Sequence, residues 1–259
     1  MSRSNPTETL KNPAEKFIDW SGSEGKFKWY NKEEKDEPNK GINYIELPFT
    51  FIPLDTLVTV KGYNEPEGIS YWSNEVRNIQ TDIITVRSKS GVVMSALWEG
   101  VKAKLKPKGA KYFQSVYVAI KEGKEYKLAN LQIGGSALKP FMDFCKDHKL
   151  MEVAVTVKSF TNEKKGANKY KAPVFEVVAV SEKANEAAIE LDKILQEYLT
   201  AYLAKNASAG AVAETPDTQD NGLNDKPKSE PKSETKSTKK EKDLVIDNDE
   251  YHDDENAPF

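Results

Sequence analysis

Lys102, Lys104, Lys106, Lys108 and Lys111 stand within ten residues that hold one glycine, one proline and no acid. A cationic run of that density suits a phosphate backbone, because each contact releases a condensed counterion. The run follows a hairpin pattern, so a loop between strands is expected to carry it. A second candidate is Lys26-Phe27-Lys28-Trp29-Tyr30, followed by Lys32, where cations and rings interleave. Cations meet phosphates while rings meet bases. In the stretch YFQSVYVAI (112–120), alternation assigns Val116, Val118 and Ile120 to a core and turns Phe113, Ser115, Tyr117 and Lys121 to the other face. Rings on the wet face of a strand can stack unpaired bases, each stack being worth about 1–3 kcal/mol. Tyr71, Trp72 and Arg77, Arg87 on the hairpin, and Lys158 with Phe160 ahead of Lys164, Lys165, Lys169 and Lys171 repeat the theme. For each group the competing reading is ordinary packing for the rings and a solvated surface for the lysines, and for Phe113 and Tyr117 alike a second layer, the N-terminal segment or the last helix, that covers them.

Other chemistries lack their parts. The histidines, His148 and His252, are far apart, and neither a Ser-His nor a Cys-His pair is recognisable. A structural zinc site needs four closely placed Cys or His ligands, and the single cysteine, Cys145, falls on an apolar stripe. Gly134-Gly135-Ser136 has no following Lys-Ser/Thr and reads as a helix start rather than a phosphate loop. No catalytic residue, metal or cofactor is therefore expected. One cysteine also excludes an intramolecular disulfide and suits a reducing compartment. The first residues, MSRSNPTETLKNP, do not read as a secretory signal, and no run approaches the roughly 18 apolar residues of a membrane helix. A cytoplasmic protein with no membrane partner is the expectation.

The elements that must position these residues follow from periodicity. Residues 26–30 alternate as a strand, 33–40 form a charged loop, and 42–61 read as a long strand interrupted at Pro48 and Pro53. A stretch rich in turn residues leads to a hairpin of 81–88 and 91–98, then strands at 111–121 and 125–133. Leu138, Phe141, Met142 and Cys145 fall at i, i+3, i+4 and i+7, a short amphipathic helix. Strands return at 151–160 and 172–180 around a Lys-rich loop. A helix capped by Ser181 then places Leu191, Ile194, Leu195, Tyr198 and Tyr202 on one face. The fold class is mainly β, with a short helix between strands and a closing helix. That order is the order of the five-stranded oligonucleotide-binding (OB) barrel, though a curved open sheet fits the same order.

Charge divides the chain of 259 residues. Residues 206–259 carry seven lysines and fourteen acids, which leaves 31 basic and 27 acidic residues in 1–205. The body is mildly basic and the tail acidic. With few large apolar side chains the tail is expected to be disordered. Its last 17 residues hold seven acids and no Lys or Arg, and end in Pro258-Phe259. An acidic segment closing with an aromatic residue can offer carboxylates to a basic rim and a ring to an apolar pocket.

In Asp253, Asp254, Glu255, Pro258 and Phe259, after Asp247, Asp249 and Glu250, the chain resembles the bacterial and bacteriophage single-stranded DNA-binding proteins. The resemblance covers less than a tenth of the chain. It implies an OB-fold that coats single strands during replication, recombination and repair. It also implies a tip that recruits proteins of the polymerase, helicase or primase type in a bacterial cell. The body is longer than the bacterial pattern and adds a closing helix, so a phage or mobile-element version is closer. Four parts are expected: an N-terminal extension (1–25), the OB-like DNA-binding domain (26–205), a linker (206–242) and the tip (243–259). A β-rich interaction module, such as a chaperone of basic proteins, and a strand-annealing protein remain the alternatives. Oligomeric state, including homo-oligomerisation, is left open.

Overall fold

The computed structural model describes residues 11–210, so the tip and nearly all of the linker lie outside the described residues. The protein is mainly β. Its strands are β1 (Lys16–Ser21), β2 (Lys26–Tyr30), β3 (Ile42–Ile45), β4 (Phe49–Asn64), β5 (Ile69–Ser73), β6 (Ile84–Ser88), β7 (Gly91–Ala96), β8 (Ala110–Glu122), β9 (Glu125–Ile133), β10 (Ala154–Lys165) and β11 (Asn168–Val178). Among the described residues three α-helices punctuate them, α1 (Trp98–Leu105), α2 (Leu138–Asp147) and α3 (Glu182–Gly210).

The strands form one open sheet in the order β3-β2-β1-β9-β8-β4-β5-β6-β7, with β10 also on β4 and β11 on β10. It is not a closed barrel. The reason lies in β1, where Ile18 and Trp20 are buried and the strand runs parallel to β9. β1 thus separates β9 from the β11 side. Residues 11–25, expected as an extension, supply this strand to the sheet.

β4 organises the rest. One edge pairs with β8 from Phe51 to Gly62, while the other pairs with β10 near Phe49–Phe51 and with β5 at Lys61–Asn64. The expected long strand over 42–61 is two strands with different partners, since β3 pairs with β2 and the chain turns at the cis Leu47–Pro48 peptide. Pro53 stays within β4, beside a register shift between Pro53 and Asp55. A proline that cannot donate is tolerated at such an irregularity.

Three cores result. On one face, Ile18, Phe27, Val116, Val118, Leu131, Phe141 and Val155 form the largest cluster. Val58, Val60, Tyr71, Val86, Trp98, Val101 and Leu105 form a second under α1. On the opposite face, α3 lays Leu195, Tyr198 and Leu199 over Leu57, Tyr117 and Leu128. Ser181 caps α3 as expected, its Oγ accepting from the Ala184 amide at 3.3 Å. Ile194 was expected on the buried stripe but is 52% exposed, and Leu199 takes the place. The Lys-rich stretch 163–171 is no open loop, because the β10–β11 hairpin continues through it to a turn at Gly166.

Candidate nucleic-acid interface

Alternation sorts the middle of the sheet into two faces. Val60, Tyr71, Val86 and Tyr112 point to the α1 core, so their neighbours Lys61, Trp72, Arg87, Lys111 and Phe113 take the opposite face. Register then aligns them: Arg87 lies beside Trp72, Trp72 beside Lys61, and Lys61 beside Lys111. A row of three cations and an indole crosses β6, β5, β4 and β8. Tyr63, 54% exposed, is on the same face two residues further along β4.

Contacts carry this row across the sheet. The Lys61 ammonium is 5.5 Å from the centre of the Phe113 ring, donates to the Gln132 side chain on β9, and lies 3.7 Å from Asp19 on β1. From Asp19 the register continues to Lys28 on β2 and Tyr44 on β3. Tyr30 (58% exposed) and Tyr44 (47%) flank Lys28 there, and Phe17 joins them on β1. The result is an oblique strip of rings and cations from β3 to β6, about 34 Å wide at 4.8 Å per strand. Its side toward α3 is walled by a buried polar cluster. Tyr117 donates to Glu75 at 2.7 Å, Ser115 donates to the same carboxyl, and the Glu75 amide donates to the Tyr202 hydroxyl at 2.8 Å.

No family model, curated protein or solved structure matches the chain.

The strip gathers six of the residues expected from sequence: Lys28, Tyr30, Trp72, Arg87, Lys111 and Phe113. Lys26 also faces this side and pairs with Glu46 at 2.6 Å. The structure places the other expected residues within its described part away from the strip. Tyr117 is fully buried beneath α3, where burial and the adjacent Glu75 push its hydroxyl far above the ordinary tyrosine range. It cannot stack a base. Trp29 points to the inner core, with the Lys16 ammonium 4.3 Å from its ring. Arg77 makes a two-pronged pair with Asp55, and Gln196 from α3 donates to that carboxyl at 3.0 Å. Burial alone would raise the Asp55 carboxyl, but the Arg77 and Gln196 hydrogen bonds outweigh it and hold Asp55 below its usual value. Arg77 is thus a clamp between β4 and the loop after β5.

Lys102 and Lys104 lie on α1, not on a loop, because Trp98, Val101 and Leu105 bury one stripe of that helix. α1 packs on the face away from Trp72. Lys106 and Lys108 form a 3-10 turn after it, with Lys108 3.7 Å from Glu67. Lys158 pairs with Glu176 at 2.9 Å, and Phe160 packs against the inner core. Asp253, Asp254, Glu255, Pro258 and Phe259 lie outside the described residues.

Sequence reasoning missed Lys61, Tyr44, Tyr63 and Gln132. Nothing local marks them, since they meet at the strip only through the pairings β2–β3, β1–β9, β4–β5 and β4–β8. Among the described residues no group of His, Cys, Asp and Glu could hold a metal ion, and no helix is long and apolar enough to cross a membrane. Burial pushes the Cys145 thiol up to about 11, so at neutral pH it is not the thiolate a nucleophile needs.

Proposed function

We propose that the protein binds single-stranded DNA without strong sequence preference, through the strip, and acts in replication, recombination or repair. The observation that carries this reading is the in-register row Arg87, Trp72, Lys61, Lys111 with Phe113 beside Lys61. Rings that stack on any base, between cations that meet phosphates, make a sequence-tolerant site. A closed duplex hides the base faces that such rings require.

An elaborated OB-fold is the finer reading of the architecture. It is supported by the order β4, β8, β9, α2, β10, β11, with β8 and β10 on opposite edges of β4. The β11 side also approaches the β1–β2 turn, where the Lys171 amide donates to Gly22 O at 2.8 Å and the Trp20 indole to Lys171 O at 2.9 Å. In this reading β1 is an added strand at the place where the barrel would close.

Titration with oligo-dT, followed by intrinsic fluorescence, tests the proposal. Of the four tryptophans, Trp20 and Trp98 are buried and Trp29 points inward, so quenching should report chiefly on Trp72. The affinity should fall with salt at a log-log slope of about −0.7 per phosphate contact. Unquenched fluorescence together with no salt-dependent binding would shift the function to an interaction module acting through the acidic tail.

The tail supplies a second expected result. The body is basic and the last 17 residues are acidic, so the tip can compete with phosphates for the strip at an effective concentration of millimolar order. By the coil relation, 54 residues, the length of 206–259, span about 40 Å. Deleting residues 243–259 should strengthen oligo-dT binding several-fold at low salt, and less as salt screens the competition. Unchanged affinity at low salt counts against it. Once DNA displaces the tip, its acids and Phe259 become available to replication and recombination proteins.

A further inference from the structure

The β10–β11 hairpin carries a charge arrangement that the strip does not use. Register places Lys164 directly opposite Lys169, and Lys171 two residues along on the same face, opposite Asn162. Like charges in direct cross-strand register repel, where an opposite pair would stabilise the hairpin. The neighbouring Lys158 has such a partner in Glu176. Lys164 and Lys169 have none among the described residues. Both are exposed, beside the turn at Gly166 that closes the hairpin.

The three lysines do not simply radiate into solvent. With Asn162, Glu163 and Tyr170 they line an open cavity of about 510 Å³ to which Gly22 and Ser23 of the β1–β2 turn contribute, so three lysines stand there against one acid. The turn is tied to the hairpin, because Lys171 bonds Gly22 O through its amide and Glu24 O through its ammonium at 3.0 Å. The turn and the repelling pair of cations therefore border one space of small-molecule size. An anion placed there would relieve the repulsion while being held by more than one ammonium. A dianion gains more than a monoanion, since each added charge meets the same fixed cations.

We infer that this hairpin cavity binds a phosphate monoester, the doubly charged group found at a strand's end or on a free nucleotide. The site is separate from the strip and does not depend on it. Its signature is opposed effects on stability and binding. Lys169→Glu replaces the repelling pair by an attracting one, so it should raise the melting temperature while removing the phosphate response.

The test uses the full chain. Melting is compared in inorganic phosphate and in thymidine monophosphate against chloride of equal ionic strength. Binding of oligo-dT with and without a 5′-phosphate is measured in parallel. Wild-type melting should rise with the phosphates, and Lys164→Gln/Lys169→Gln should lose that rise. A several-fold affinity gain from the 5′-phosphate, lost in the double variant, assigns the strand end as the source. A rise with free phosphates alone assigns the free monoester. The inference is overturned if neither phosphates nor the 5′-phosphate act on the wild type. It is equally overturned if their effects persist in the double variant. Because melting with inorganic phosphate involves no DNA, failure of the strip would leave this result untouched.

Discussion

Trp72→Ala is expected to weaken oligo-dT binding by about tenfold or more, with little loss of stability. Trp72 is 40% exposed, while its neighbour Tyr71 is buried and supplies the core contact of β5. Removing the indole thus takes away a stacking surface and leaves the packing. Loss of one base stack is worth about 1–3 kcal/mol, and 1.4 kcal/mol is a factor of ten. Phe113→Ala should cost less. One side of its ring lies against Gly134, where even an added Cβ would come within 2.3 Å of it, so only the other side can receive a base. Salt separates ring from charge. The Trp72→Ala deficit should persist as salt rises, whereas Arg87→Ala should lower the log-log slope by about 0.7. Fluorescence anisotropy of a labelled oligo-dT at several salt concentrations measures both. Trp72→Ala with wild-type affinity at every salt concentration would remove the strip as the binding surface.

The strip was half legible in the sequence. Alternation in 112–120 separated the two faces of β8 correctly, placing Val116 and Val118 apart from Phe113 and Tyr117. Which part of the second face is covered depends on α3, whose Leu195 and Leu199 arrive some eighty residues later. No local pattern distinguishes Phe113 from Tyr117. The lysines at 102–111 misled for a different reason. Trp98, Val101 and Leu105 have helical spacing, but the preceding hairpin pattern runs into Trp98 and hides the change of period. β1 was the hardest element, as its two buried residues, Ile18 and Trp20, are held by a parallel pairing with β9 that no turn connects. Pairings of such sequence separation also account for the open sheet where a closed barrel was expected.

The burial of Tyr117 can itself be tested, because it makes α3 part of the folding core. Leu195→Ala should destabilise the protein by about 2–5 kcal/mol, the usual cost of deleting a buried leucine side chain. At roughly 2–4 °C per kcal/mol for a domain of this size, the melting temperature should fall by about 4–20 °C. Leu195 is fully buried against a cluster that includes Leu57, Tyr117 and Leu128, so a cavity there cannot drain into solvent. The polar cluster beneath the helix adds to the effect. Glu75 depends on Tyr117, Ser115 and Asn130 for its hydrogen bonds, and a loosened α3 exposes those donors to water. Oligo-dT affinity, measured well below the lowered melting point, should stay near wild type because the strip's rings lie outside this cluster. An unchanged melting temperature would mean that α3 does not cover the face. Tyr117 would then stand beside Phe113 as a second stacking ring, and Tyr117→Ala would weaken DNA binding at constant stability.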